Sequence, residues 1–247
     1  MKKLLALCCI IALVAAFMFG GCGSDKDTTT NGDDYAALAL GFQGITQSMV
    51  QLFSSMAEEG FDYLDADSYD FYICDYYDQD CWWFCDYYDS SSYMVMAESD
   101  SIHFSDDSGC QQYADSNTTG LKFRFDGRYN IISGDTASVN QQYYISTDCT
   151  DLDGDYSSIS GNFEIIFSNV EGADSATYIF TSTYQNVEID IDSDDLPVSG
   201  TMNITMLFTY TSDGSSFNVA ITLTFNETGY NGSMVIEGTT YTWSYPS

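Results

Sequence analysis

The sequence predicts a mainly β protein. In it, an antiparallel meander of about ten strands forms a curved sheet or an incomplete barrel, packed on one N-terminal amphipathic helix. From about residue 93 onward, apolar residues alternate with polar ones, which is typical of a sheet with one buried face. Turns rich in Gly, Asp, Asn and Ser separate these runs and favour antiparallel neighbours. Only residues 34–59 show a helical period, which disfavours parallel βαβ units. A two-sheet β-sandwich is the alternative.

The first 22 residues have the layout of a secretory signal. Lys2 and Lys3 precede an uncharged apolar stretch over residues 4–19, which is shorter than the roughly 20 residues of a transmembrane helix. Small glycines and a cysteine follow at once in the segment FGGC, residues 19–22. This segment resembles the lipobox of bacterial lipoproteins, although Phe19 stands where leucine is more common.

That resemblance implies a lipid anchor. It implies that residues 1–21 are a cleaved signal peptide and that Cys22 is acylated and attached to the membrane. Residues 22–33 would then hold the lipidated cysteine and a flexible tether. Gly23 stands where inner-membrane lipoproteins often carry Asp, so the resemblance implies the outer membrane in a Gram-negative host.

Residues 34–247 are expected to form one β-rich domain that begins with a helix over 34–59. Asp33 or Asp34 can cap the start of the helix, and Gly60 can end it. Steps of three and four residues place seven apolar side chains on one face: Tyr35, Leu38, Phe42, Ile45, Met49, Leu52 and Met56. We expect this face to pack on the protein's own sheet, with a partner-binding or membrane-lying helix as the alternative.

Residues 62–93 are rich in Asp, Tyr and Cys and show neither a helical nor a two-residue period. They predict a loop-rich excursion with one short strand from Trp82 to Cys85. Trp82 and Trp83, with their tyrosine neighbours, could form a platform for sugar rings. The alternative is that some of these rings pack inward and the others decorate a loop.

The meander occupies residues 93–247. Lys122 and Arg124 alternate with apolar residues, so we expect them to face solvent and to pair with acidic neighbours across the strands. The stretch from Cys149 to Phe167 is similar to uncharacterised bacterial lipoproteins with β-meander bodies. This similarity carries no catalytic or binding residue to the present chain.

Five cysteines remain when the leader and Cys22 are set aside: Cys74, Cys81, Cys85, Cys110 and Cys149. Their number predicts two disulfides and one free thiol in an exported protein, and the pairing stays open. We expect the bridges to tie the excursion to the sheet. A zinc site is disfavoured because the chain has one histidine, His103, and exported cysteines usually oxidise.

Two acidic clusters are candidate Ca²⁺ sites, because hard cations prefer oxygen ligands. The first cluster consists of Asp151, Asp153 and Asp155, and the second includes Asp190, Asp192 and Asp194. The spacing around Gly154 departs from the EF-hand pattern, so an Asp-Gly hairpin turn is the alternative for the first cluster. No other cofactor is predicted.

The charge of the chain narrows its function. With 37 acidic residues, 6 Lys and Arg residues and a net charge of −31, nucleic acid is excluded as a natural partner. No nucleophile elbow, phosphate loop or dinucleotide fingerprint is present, so we expect no enzymatic activity. The sequence favours a lipid-anchored envelope protein that acts as a binding or structural module and holds a hydrophobic ligand between helix and sheet. The alternative is a surface module that binds glycan or a divalent cation through the Asp/Tyr/Trp-rich segment.

Overall fold

The computed structural model describes residues 32–64, 71, 74–77, 79–91, 93–133, 137–152, 154–171, 174–190, 197–210, 214, 216–236 and 238–246. One long helix, α1 (Gly32–Phe61), and a short 3-10 turn (Asp62–Leu64) precede twelve strands. The strands are β1 (Cys74–Tyr77), β2 (Trp82–Ser90), β3 (Met94–Asp106), β4 (Gly109–Gln111), β5 (Gly120–Ser133), β6 (Ala137–Thr150), β7 (Tyr156–Glu171), β8 (Asp174–Asp190), β9 (Ser199–Tyr210), β10 (Ser216–Asn226), β11 (Gly229–Ile236) and β12 (Thr239–Tyr245).

All twelve strands form one antiparallel sheet that is not closed. Their order follows the chain from β1 to β12, and β4 pairs with β3 beside the main path. The predicted open meander with one N-terminal helix is therefore confirmed, and the two-sheet sandwich is wrong. Each strand therefore pairs with its predecessor in the chain, except β5, which pairs with β3.

The strict alternation of side chains gives the sheet two chemically distinct faces. On β5, Leu121, Phe123 and Phe125 are buried on one face, whereas Lys122 and Arg124 are exposed on the other. We call the first side the inner face and the second the outer face. The register carries the inner face across the sheet as a continuous apolar layer, which is the main core of the protein.

Helix α1 packs against this inner face. Phe42, Ile45 and Met49 are buried, as the spacing predicts, and Phe53, eleven residues after Phe42, completes the same stripe three turns later. The Phe53 ring lies 4.7 Å from the ring of Tyr184 on β8. Near the start of the helix, the ring of Phe42 lies 5.9 Å from Phe208 on β9 and 6.1 Å from Phe217 on β10. The helix therefore crosses β8, β9 and β10 in direct ring contact.

Among its described residues, the segment predicted as a loop-rich excursion is largely strand. β1 and β2 form a hairpin at one edge of the sheet, and β2 extends five residues beyond the short strand expected to end at Cys85. Trp83 and Cys85 point to the inner face, and Trp82 and Phe84 point to the outer face. Because large apolar side chains occur on both faces, no polar alternation marks this strand in the sequence.

Two glycines on the inner face are each covered by an aromatic ring of the next strand. A Cβ on Gly127 would overlap the ring of Tyr143, and a Cβ on Gly232 would overlap the ring of Trp243. Tyr143 is buried, and its hydroxyl donates a hydrogen bond to the Glu98 carboxylate. At these two positions the lack of a side chain makes room for a large neighbour.

Candidate binding surface

Two disulfides fix the hairpin edge of the sheet. Cys74–Cys85 joins β1 to β2, and Cys81–Cys110 joins the turn between these strands to β4. Disulfides of this kind persist outside the reducing cytoplasm, so they indicate an extracytoplasmic protein. Cys149 is a free, buried thiol, and its burial raises its pKa, so that the side chain stays protonated.

The two predicted platform tryptophans lie on opposite faces of the sheet. Trp83 is buried on the inner face, where its Nε1 donates a hydrogen bond to the carbonyl oxygen of Gln112 at 2.6 Å. Its ring also stacks on Phe71, with 4.5 Å between the ring centroids. Trp83 is therefore a core residue, and only Trp82 remains available for a surface contact.

Trp82 is the centre of an aromatic cluster on the outer face. The guanidinium of Arg124 lies over the Trp82 ring, 4.7 Å from its centroid, in a cation–π geometry. The rings of His103 and Phe84 lie 5.3 and 6.4 Å from Trp82, and Tyr77 meets Phe84 edge-on at 5.2 Å. We call these five side chains the platform. Phe84 and Tyr77 are 40% and 54% exposed, so part of the platform is open to solvent.

A groove continues from the platform along the outer face of β3. It has a volume of about 400 Å³. Ala97 and Ser99 form its floor, Asp86 and Tyr88 of β2 line one side, and the opposite side is lined by Asp126 and Arg128 of β5. Tyr88 is 68% exposed, so its ring is accessible beside the groove. Small residues on the central strand thus leave a shallow channel between bulky residues on its neighbours.

The only Lys and Arg residues that the structure describes lie on the outer face of β5: Lys122, Arg124 and Arg128. Lys122 pairs with Asp148 of β6 at 3.4 Å, which agrees with the expected pairing to an acidic neighbour. The pKa of His103 is lowered, first by burial and then by the charge of Lys122, so the imidazole is neutral at pH 7. The platform therefore combines the neutral imidazole of His103, the guanidinium of Arg124 stacked on Trp82, and the exposed rings of Tyr77 and Phe84.

The described members of the two acidic clusters predicted as Ca²⁺ sites, Asp151, Asp155 and Asp190, lie near one end of the sheet. Asp151 has a positive φ of 62° in the turn between β6 and β7, and its carbonyl oxygen accepts a hydrogen bond from the Gly154 amide at 3.1 Å. Asp155 is exposed in the same turn, and Asp190 pairs with Tyr156 across β7 and β8. Within the described ranges, no three His, Cys, Asp or Glu side chains lie close enough to hold a metal ion.

Four of the predicted site residues lie outside the described residues: Cys22, Asp153, Asp192 and Asp194. The lipid anchor and the Ca²⁺ sites that depend on them therefore stay predictions. Among the described residues, no helix combines the length and the apolar character that crossing a membrane requires.

Comparison with protein-family models, with curated proteins and with solved structures found no match to this chain.

The sequence marks Trp82 and the solvent-facing cations, but no pattern in it connects them. The contact between Arg124 and Trp82 depends on the register of β2, β3 and β5, which no local pattern in the sequence encodes. The alternation of Phe84 with Trp83 was the one available signal that a second ring shares the outer face with Trp82.

Proposed function

We propose that this chain is a non-enzymatic, extracytoplasmic protein that binds neutral carbohydrate on the platform and the β3 groove. The observation that carries the proposal is the stack of Arg124 on Trp82, beside the exposed rings of Tyr77 and Phe84. Aromatic faces suit the apolar face of a sugar ring, and the neighbouring carboxylates, guanidiniums and hydroxyls suit its hydroxyl groups.

A neutral ligand agrees best with the charges of this surface. The cations of β5 alternate with or face carboxylates, as Arg124 and Arg128 flank Asp126 and Lys122 meets Asp148. Little positive charge is therefore left for an anionic ligand, and the net charge of −31 repels anionic polymers at longer range. An uncharged, hydroxyl-rich ligand needs no free cation on the protein and is not repelled by the net negative charge.

We further propose that the chain is held at the cell envelope by an acyl group on Cys22, on the outer membrane in a Gram-negative host. The disulfides support export, and the FGGC segment supports the lipid. Residues 22–31, which precede α1, would span at most roughly 36 Å when extended, which keeps the folded domain near the membrane. Intact mass of the protein purified from membranes tests this proposal. Cleavage before Cys22 with the added acyl mass supports it, and an uncut, unmodified N-terminus contradicts it.

A glycan array followed by titration calorimetry tests carbohydrate binding. For the glycan that binds best, Trp82→Ala should weaken binding by about tenfold or more, because a central aromatic anchor carries a large share of the binding energy. Phe84→Ala should have a smaller effect in the same direction. Thr205→Ala, on the exposed outer face of β9, is the matched control and should bind like the wild type.

Either of two results would end the carbohydrate proposal: no binding anywhere on the array, or equal binding by the Trp82 and Thr205 variants. The same calorimeter tests the divalent-cation alternative with CaCl₂, and Ca²⁺ heats that vanish in Asp151→Asn would favour it.

The hydrophobic-ligand hypothesis remains a prediction with less support, because rings of α1 and the sheet meet directly at Phe42 and Phe53. Native mass spectrometry of Cys22→Ala tests it, since co-purified lipid would then have to lie in the interior.

A further inference from the structure

The two edges of the sheet are protected very differently. Edge strands present unpaired backbone groups to other chains, and proteins usually blunt them with short strands, charged side chains or covalent ties. β1 uses all three devices: it has four residues, exposes Asp75 and is bridged to β2 by Cys74–Cys85. β12 is the other edge strand. Within the described part of the chain, its edge that points away from β11 pairs with no strand, and none of these three devices is present there.

β12 has the composition of a strand that pairs on both sides. Its seven residues, TTYTWSY, are all β-branched, aromatic or small, and none is charged. Tyr241 and Trp243 on its inner face are only half-buried, so the apolar layer of the inner face ends there incompletely covered.

We propose that β12 pairs in antiparallel fashion with β12 of a second copy of this chain, about a twofold axis at Thr242. Each copy would then continue the sheet of the other. In this register Tyr241 lies opposite the partner's Trp243, and Thr240 lies opposite the partner's Ser244. Both aromatic pairs fall on the inner face, where cross-strand pairs of rings stabilise a sheet and extend its buried layer.

The charge distribution favours a second copy as the occupant. Two molecules that each carry a net charge of −31 repel one another wherever acidic surfaces meet. The four strands β9–β12 contain no charged residue, so this end of the sheet is where two copies can approach with the least repulsion. With the axis at Thr242, the centre of the strand, all seven residues of β12 lie opposite a residue of the second copy.

Sedimentation velocity of the purified full chain tests the proposal. Pairing of a single strand gives an interface at the small end, near or below roughly 1,200 Å², so the concentration series should reach about 100 µM. A monomer–dimer equilibrium is the expected result. Thr242→Lys places two ammonium groups opposite each other at the axis and should weaken dimerisation by about tenfold or more.

Thr205→Lys is the matched control, because it introduces the same charge on the exposed outer face of the central strand β9. Edge pairing predicts that this variant dimerises like the wild type. A purely monomeric wild-type chain, a Thr242→Lys dimer of unchanged affinity, or equal weakening by Thr205→Lys would each overturn the proposal; the last result would indicate that outer faces stack instead.

A cysteine scan tests the register without relying on charge. At the twofold axis a residue meets its own copy, and the Cα atoms of directly opposite residues in an antiparallel pair lie about 4.5 to 5.5 Å apart, which is close enough for a disulfide. Thr242→Cys should therefore give a covalent dimer on mild oxidation, whereas Thr205→Cys should stay monomeric. Cross-linking at neither position 242 nor its neighbours 240 and 244 would contradict pairing of these strands. Because the platform lies at the opposite edge, these outcomes do not depend on carbohydrate binding.

Discussion

The first part of the sheet, β1–β6, and its last four strands, β9–β12, share an inner face but differ on the outer one. Both regions alternate apolar residues inward, as Phe123 and Phe125 do on β5 and Ile204 and Met206 on β9. Outside, the first region carries every described Lys and Arg and an aromatic platform, whereas the last four strands carry mainly Thr, Ser and Asn, with a few apolar residues such as Val235, and no charge. The shared inner face specifies the fold, so the outer face is free to differ between regions.

The largest expected effect tests whether the two regions unfold together. Phe53→Ala removes a buried ring that contacts Tyr184, and it should cost about 3–5 kcal/mol in the free energy of unfolding. Leu40→Ala is the control on the same helix, and it should change stability by less than about 0.5 kcal/mol because Leu40 is 68% exposed. Denaturant unfolding measures both values.

Hydrogen exchange of the Phe53→Ala variant then shows which strands lose amide protection. If the sheet is one cooperative unit, amides of β5 and of β10 lose protection together. Loss confined to β8–β10 would show that the two regions are separate folding units.

Removal of a disulfide should act on the first region alone. Cys81 and Cys110 are 29 residues apart, and chain entropy gives their bridge about 3.5 kcal/mol, against about 3 kcal/mol for Cys74–Cys85, whose cysteines are 11 apart. We expect the Cys81→Ala/Cys110→Ala double variant to lose exchange protection in β1, β2 and β4 and to keep it in β9–β12. The Cys74→Ala/Cys85→Ala variant is the matched comparison and should lose slightly less stability. Equal loss in β9–β12 would contradict this regional assignment.

The two covered glycines offer a matched pair, one in each region. Gly127→Ala forces the Tyr143 ring to move, and that ring is buried and hydrogen-bonded to Glu98, so we expect a cost of about 2–3 kcal/mol. Gly232→Ala meets Trp243, which is half-buried on the edge strand β12 and can swing outward, so about 1 kcal/mol is expected in dilute solution. Thermal unfolding measures both. A larger cost for Gly232→Ala would show that the β12 edge is the more rigid of the two sites.

The same contrast explains how much of the fold the sequence reveals. In β9 and β10 one face is polar and the other apolar, so the alternation of Met202 with Thr201 and Asn203 predicts each strand. In β2 both faces carry rings, because Trp82 and Trp83 serve opposite sides of the sheet. The pattern that identifies strands is therefore missing where the candidate binding surface lies, and the sequence predicts a loop there.

The candidate site is predictable in its parts but not in its assembly. Alternation within β5 predicts that Lys122 and Arg124 face solvent, and the structure confirms this. Which ring Arg124 meets depends on how β2 and β5 align across β3, and that register results from the whole sheet. Disulfide pairing is similar, since Cys110 lies on a short strand that no pattern marks.

The smallest expected effect is a dependence on pH that belongs to the first region. His103 is the only histidine, and its pKa in the folded protein lies below the usual 6.5 because of burial and Lys122. The unfolded chain therefore binds a proton at a higher pH than the folded chain does, so the stability that His103 contributes is complete above about pH 6.5 and is lost as pH falls below it. Hydrogen bonds from Ser108 lower the pKa of Asp106 below its ordinary value of 3.8. The stability that Asp106 contributes is therefore lost only at pH values below 3.8, outside the range in which His103 titrates.

His103→Gln isolates the histidine contribution. The unfolding free energy of the wild type minus that of the variant should decrease as the pH is lowered from 7 towards 5. The accompanying loss of hydrogen-exchange protection should lie in the amides of β3 and β5. The four strands β9–β12 hold no group that titrates in this range, so their exchange protection should follow global stability only. A difference that grows on acidification would mean that folding raises the pKa of His103. The backbone hydrogen bond of His103 and the charge of Asp148 would then outweigh burial and Lys122, and the His103 ring beside Trp82 would be a second cation of the platform.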